Sequence, residues 1–324
     1  MALQDRTAFN LDPETHRLCV KVAKLYYEDE LTQGKIARKL GYSRTKIHRI
    51  LSTAKEHGVV QIQIHTPDHE YFELEHDLIK AYGLRDAVVV PTLPVGKELY
   101  LALGRGAVGW LKPRLKDGIR IGLGLGRTIS HLPQVFEPNG SADCTFTEIV
   151  GAAADHNQEI SSYNITSKMA ELIGGKAEFF YAPTFVSSPS LKEELIGEPS
   201  VKKSLQRART SDIILQSVGP VDETALLYLH GCLDGDALAE LRRKGAVGDA
   251  LGHYFDREGR PVRSFTDQLM IGLDLEDLTR VPWSVVIAGG PEKVPVIAAA
   301  LRGEFFNVAV TDAETALQLI ELER

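Results

Sequence analysis

The stretch whose reading decides the fold is GLGLGRTI, Gly122 to Ile129, lying between an apolar run and a helical pattern. A strand that ends in glycines and turns into a helix is the repeating unit of α/β architecture, and at such turns a ligand can meet backbone amides. The dinucleotide fingerprint GxGxxG is the first chemistry to test. Gly122, Gly124 and Gly126 are spaced two and two, and the position that needs the third glycine holds Arg127. The run is not the first strand candidate of its domain. Where an acidic ribose-binding residue would follow a second strand stands FEPNGSADC, which has loop composition. GxxxxGK[ST] occurs nowhere, so no nucleotide cofactor is expected. What remains is a glycine turn followed by Arg127 and Thr128, a guanidinium and a hydroxyl that donate well to phosphate or sugar oxygens.

Outward from this turn, apolar runs alternate with helical patterns almost to the end of the chain. DAVVVP, GIRIGLG, TFTEIVG, EFFYAP, DIILQSVG, SVVIAGG and NVAVTD read as strands; ELYLALGRGAVGWL, SKMAELIGG, PVIAAALRG and AETALQLIEL read as amphipathic helices. The expected fold class is α/β, with a mostly parallel sheet covered on both faces. Ligands of such sheets lie beyond the carboxyl ends of the strands. Those ends are glycine-rich here: GLGLGRT, IVGAA, SVGP and AGGPEK. Any one such loop is explained by a turn; four in one domain point to a shared small-ligand pocket. Gly124, Gly126, Arg127 and Thr128 are candidates on the first loop, and Gly289, Gly290 and Lys293 on AGGPEK. The segment VGDALGHYFDREGRPV adds Asp249, a carboxylate for sugar hydroxyls, and Phe255 beside Tyr254 as an apolar wall. Asp256 to Gly259 within it is a hairpin turn.

The other decisive segment is LTQGKIARKLGYSRTKIHRIL, from Leu31 to Leu51. Thr32 can cap a helix whose apolar positions are Ile36, Ala37 and Leu40, Gly41 permits a tight turn, and Ser43 can cap a second helix with Ile47, Ile50 and Leu51 inward. This is a helix-turn-helix, preceded by a helix starting near Asp12 with Leu18, Val22, Leu25 and Tyr26 on one face. Arg44, Thr45, Lys46, His48 and Arg49 are left facing out, donors suited to guanine edges and phosphates, with Thr32, Gln33 and Ser43 at the helix starts beside them. In EHGVVQIQIHTP, Val60, Ile62 and Ile64 alternate with polar residues as the strand of a wing would.

Charge follows the same division. The chain carries a net −7, yet residues 1–65 hold 11 Lys and Arg against 7 Asp and Glu, and residues 31–57 hold 7 against 1. A basic module on an acidic body is the outline of a protein that holds DNA by one end. No apolar run is long enough for a membrane span, and the first residues lack the order of a secretory signal, so a cytoplasmic location is expected. Cys19, Cys144 and Cys232 are in no CxxC spacing, and neither a disulfide framework nor a metal site is expected. The expected domains are a winged helix-turn-helix at 1–66, a linker helix at 67–83 and an effector-binding and oligomerisation domain at 84–324.

With these motifs assembled, the chain resembles the SorC/DeoR family of sugar-responsive bacterial transcriptional regulators over nearly its whole length. The carriers are LTQGKIARKLGYSRTKIHRILSTAKEHGVVQIQI and, in family order, GLGLGRTI, VGDALGHYFDREGRPV, AGGPEKVPVIAAALRG and NVAVTDAETALQLI. The resemblance implies an effector domain related in fold to sugar-phosphate isomerases and operator binding gated by a sugar, polyol or sugar-phosphate. It also implies homo-oligomers, dimers or tetramers. It puts the phosphate or sugar loop on Gly126, Arg127 and Thr128, the hydroxyl-binding aspartate on Asp249, and the lysine of AGG-x-x-K on Lys293. Leu125 is a departure, since many members carry an aromatic or hydroxyl residue there. A repressor of a carbohydrate or polyol operon, not an enzyme, is the function expected. The alternatives are a sugar-phosphate isomerase-like enzyme with a helical extension, using Asp249, His253 or His131 as base, and a regulator whose body is only a scaffold.

Overall fold

The computed structural model describes residues 11–61, 71–137, 140–152, 161–229 and 231–324. The chain divides into two compact units, Met1–Asp68 and His69–Arg324.

In the first unit, side-chain caps place three helices. Asp12 accepts from the amides of Glu14 and Thr15 at 3.0 and 2.9 Å and starts α1 (Pro13–Ala23), which runs on as a π turn over Lys24–Glu28. The Thr32 hydroxyl accepts from the Lys35 amide at 3.4 Å at the head of α2 (Gln33–Leu40), and that of Ser43 from the Lys46 amide at 3.1 Å at the head of α3 (Arg44–Glu56). Between them Gly41 sits at φ +70°, a left-handed conformation that a side chain would strain. Val22, Leu25, Ile36, Ala37, Ile47 and Leu51 form the core, joined by Leu18, Tyr26, Leu40 and Ile50. These are the residues that helical spacing predicts. Of the expected wing strand, Val60 lies in a bend, and Ile62 and Ile64 fall outside the described residues.

The second unit is an α/β layer structure. Its larger sheet consists of β1 (Asp86–Val90), β2 (Arg120–Leu123), β3 (Thr145–Glu148), β4 (Lys176–Glu178), β5 (Ile213–Gln216), β10 (Trp283–Ile287) and β11 (Val308–Asp312). They lie in the order β1-β11-β10-β5-β2-β3-β4, all parallel. Alternate residues go to opposite faces: Ile214, Val286 and Ala309 enter one core, and Ile213, Leu215, Val285, Ile287, Val308 and Val310 the other. Both faces are therefore dry, as an all-parallel sheet requires. The covering helices include α4 (Phe72–Tyr82), α5 (Lys97–Leu111), the single turns α6 (Arg127–Ser130) and α7 (Leu132–Val135), α8 (Ser162–Ile173), α9 (Pro189–Gly197) and α10 (Pro199–Arg209). Further on come α11 (Leu226–Leu229), α12 (Gly235–Arg243), α13 (Thr266–Leu269), α14 (Leu275–Arg280), α15 (Val294–Arg302) and α16 (Ala313–Glu321). A smaller antiparallel sheet joins β6 (Gly219–Pro220), β7 (Gly248–Ala250), β8 (His253–Phe255) and β9 (Pro261–Val262).

Two expectations shift. EFFYAP is not a strand of the sheet; β4 ends at Glu178, because the Glu148 carboxylate captures the Phe180 amide at 2.6 Å and turns the chain away. The helix expected as a linker, α4, is packed into the second unit, with Leu78 fully buried and the Tyr82 hydroxyl donating to the Leu319 carbonyl at 3.0 Å. The hairpin at Asp256 to Gly259 forms, joining β8 to β9 with the Asp256 amide donating to the Arg260 carbonyl.

Candidate functional site

Chain order in the large sheet reverses between β2 and β5: from β2 the chain moves outward to β3 and β4, then returns to β5 on the other side. The carboxyl ends of two such strands splay apart, and their loops leave a crevice. A cavity of about 230 Å³ occupies this place. Leu125, Gly126 and Arg127 after β2, Gln216 at the end of β5 with Ser217 to Gly219 after it, Asp249 on β7 and Lys293 before α15 all line it. Val150, Ala152, Pro183, Phe185 and Met270, all members of isolated bridges, line it as well.

Gln216 is the residue that sequence reasoning missed. It is buried, and its side-chain amide donates to the Ser217 and Leu125 carbonyls at 2.6 and 3.4 Å, tying the two loops together. Gly124 leaves room for it, since a Cβ there would lie 1.5 Å from Gln216 Oε1 and displace the side chain. Nothing in the composition of DIILQSVG marks this glutamine as more than a strand residue.

The charged groups converge. Burial pushes Lys293 down to about 8, helped by the Arg127 guanidinium and opposed by Glu292 and Asp249. Asp249 is half-buried as a residue, yet burial of its carboxyl pushes it up to about 6, against the Gly252 amide, Lys293 and His253. The Arg127 guanidinium donates to the Thr224 carbonyl across the cavity rim. Two cations, Arg127 and Lys293, and two carboxylates, Asp249 and Glu292, thus line one small cavity. Such a set can offer both donors and acceptors to an oxygen-rich ligand.

Gly126, Arg127, Asp249 and Lys293 are therefore brought together, whereas the other five candidates are not cavity-lining. Gly124 serves Gln216. Thr128 is buried at the start of α6. Phe255 is a correction: the register of β7 with β8 puts it on the face away from Asp249, fully buried with its ring 5.3 Å from that of Phe305. Gly289 and Gly290 lie against Asp312, which accepts from the Gly290 amide at 2.9 Å. Of the bases considered for an enzyme, only Asp249 lines the cavity. The His253 ring nitrogen is held by Asp267 at 2.7 Å and that of His131 by the Arg127 carbonyl at 2.7 Å. Neither faces a ligand there.

In the first unit, Arg44, Thr45, Lys46, His48 and Arg49 are all exposed along α3, and the Lys46 ammonium sits 4.1 Å over the Tyr42 ring. Thr32 and Ser43 are exposed with their hydroxyls engaged as caps, and Gln33 is half-buried.

Residues 67–321 match the family described as "Putative sugar-binding domain". The chain is also 31% identical over 309 residues to the transcriptional regulator LsrR of Klebsiella pneumoniae, covering 94% of this chain and 93% of that one. The chain belongs to the SorC/DeoR-type family of sugar-binding transcriptional regulators. It is similar to the deoxyribonucleoside regulator of Bacillus subtilis, 29% identical with 96% and 99% of the two chains covered. Among solved structures it resembles the full-length sorbitol operon regulator SorC from Klebsiella pneumoniae, with a TM-score of 0.72, 26% identity, and 95% and 99% coverage. These relatives are transcriptional regulators, and this chain is likewise a transcriptional regulator with a sugar-binding domain, not an enzyme. Among the described residues, no helix is long and apolar enough to cross a membrane.

Proposed function

We infer that the first unit binds operator DNA through α3, with Arg44, Thr45, Lys46, His48 and Arg49 reaching base edges and phosphates and Thr32, Gln33 and Ser43 beside them at the groove. A sugar, polyol or sugar-phosphate effector occupies the cavity of the second unit. Arg127 and the Gly126 turn face its anionic or most polar group together with Lys293, and Asp249 accepts from its hydroxyls. The convergence of Arg127, Lys293 and Asp249 at the reversal between β2 and β5 carries this reading. The similar proteins, a sorbitol operon regulator and a deoxyribonucleoside regulator, support a ligand of carbohydrate origin.

The protein acts as a repressor of a carbohydrate or polyol operon, in the bacterial cytoplasm, as a dimer or tetramer. Effector and operator favour different arrangements of the oligomer, so each changes the other's affinity by the same factor. A thermal-shift panel of sugars, polyols and their phosphates tests it, because a ligand that binds only the folded state raises its stability by mass action. One chemical class should raise Tm and also change operator affinity. A flat profile across the panel would leave the second unit a scaffold.

A further inference from the structure

The cavity has two chemically different ends. At one end Lys293 lies within electrostatic reach of Arg127, Glu292 and Asp249, and the Ser217 side chain presses on Gly126. At the other, three apolar side chains meet over Gly252. A Cβ built on that glycine would lie 2.6 Å from Met270 Sδ and 3.5 Å from both Leu227 Cδ1 and Phe185 Cζ. Asp249 stands at the seam, since it accepts from the Gly252 amide at 3.0 Å.

Around Met270, Leu227 and Phe185 the side chains are apolar, and several other polar groups of the lining are already engaged. The Thr184 hydroxyl donates to the Gly151 carbonyl, the Thr224 carbonyl accepts from Arg127, and Gln216 Nε2 donates to the Ser217 and Leu125 carbonyls, while Gln216 Oε1, buried beside Gly124, is left without a hydrogen-bond partner among the described residues. A hydroxyl-bearing carbon placed among Met270, Leu227 and Phe185 would lose its water without gaining a partner. A methylene or methyl group placed there would gain from leaving water.

We propose that the effector is amphipathic: an anionic head at Arg127 and Lys293, a hydroxyl next to it for Asp249, and a hydrocarbon far end of deoxy or methyl type. This rests on the cavity being the effector site and narrows the ligand class within that reading. A fully hydroxylated sugar-phosphate of the same length is then a poor fit, because its last hydroxyls fall among the three apolar side chains.

Isothermal titration calorimetry on the full-length protein near neutral pH tests the idea with three probes: inorganic phosphate, erythritol 4-phosphate and 2-hydroxybutyl phosphate. The last two share four carbons and one phosphate and differ in the hydroxyls of the far end. 2-Hydroxybutyl phosphate should bind about tenfold more tightly than erythritol 4-phosphate, the ratio that burying two methylene-sized groups produces. Leu227→Asn should shrink that ratio to about threefold or less while inorganic phosphate binds as before, which also reports that the variant is folded. Equal or tighter binding of erythritol 4-phosphate by the unmodified protein would overturn the proposal and leave the anionic-effector reading standing. An unchanged ratio in Leu227→Asn would overturn it too. Failure of all three probes to bind would overturn the proposal together with the reading of Arg127 and Lys293 as an anion site, and would leave a neutral sugar or polyol as the effector.

Discussion

The DNA-reading unit and the effector cavity are built by opposite means. Every residue assigned to DNA lies between Thr32 and Arg49, and the geometry that presents them comes from caps and a turn a few residues away. The cavity draws on residues from Leu125 to Lys293, brought together only because the sheet reverses its order between β2 and β5. One function is written locally and the other is assembled by topology. The two should therefore be separable by mutation.

Removing both arginines of the exposed α3 set, Arg44→Ala with Arg49→Ala, should weaken operator binding by about 100- to 1000-fold, since each contact to a base or phosphate contributes about 1–3 kcal/mol. Fluorescence anisotropy at fixed salt measures it, because phosphate contacts make affinity depend on salt. Effector affinity in the absence of DNA should not move. A simultaneous loss of effector binding would show that the two regions are not independent.

The converse change lies in the cavity. Lys293→Met should weaken binding of a phosphorylated effector by about 10- to 100-fold, the usual weight of a charge-assisted hydrogen bond in a partly dry site. Operator affinity without effector should stay as it was. If it falls, Lys293 supports the fold rather than the ligand.

The same contrast explains what could be read from the sequence. In the first unit, the core of Val22, Leu25, Ile36, Ala37, Ile47 and Leu51 follows from helical period alone, and Gly41 marks the turn because few other residues tolerate its φ. In the second unit, the parallel strands were legible as apolar runs, and Gly126, Arg127, Asp249 and Lys293 as candidates on loops that follow strands. Gln216 was not, because its role arises from the contact with Gly124 across neighbouring strands, which no spacing along the chain reveals. Phe255 was misplaced for a related reason. In a β-strand one residue of slip sends a side chain to the other face, and only the pairing of Asp249 with Tyr254 fixes which face that is.

A pH titration sharpens the comparison without any change of sequence. Lys293 titrates at about 8, so its charge is lost as pH rises through that value. A phosphate monoester is already fully ionised there, its second proton leaving at about pH 6. Affinity for a phosphorylated effector should fall above pH 8 with a slope approaching tenfold per unit, one proton being taken up on binding. Lys293→Arg, whose guanidinium stays charged, should flatten the curve. Operator binding over the same range should be flat by comparison.

The smallest effect is the most informative about Asp249. Burial raises its carboxyl from 3.8 to about 6, so the folded protein binds this proton more tightly than the unfolded chain does. The sign follows: the group favours the folded state as pH falls through 6, and near neutral pH its buried charge is a cost. Asp249→Asn keeps an acceptor for the Gly252 amide and discards the charge. It should raise the Tm of the ligand-free protein by about 2–4 °C near neutral pH, the shift that about 1 kcal/mol makes in a domain of this size. The gain should shrink as pH falls, since the native aspartate is then neutral as well. Effector binding should weaken in the same variant, because an amide oxygen accepts less strongly than a carboxylate from a hydroxyl. More stability with less response would mean that the charge is kept for the ligand. A fall in Tm would mean the reverse: Asp249 would be fastening the cavity wall to Lys293, as Thr32 and Ser43 fasten the helices of the first unit.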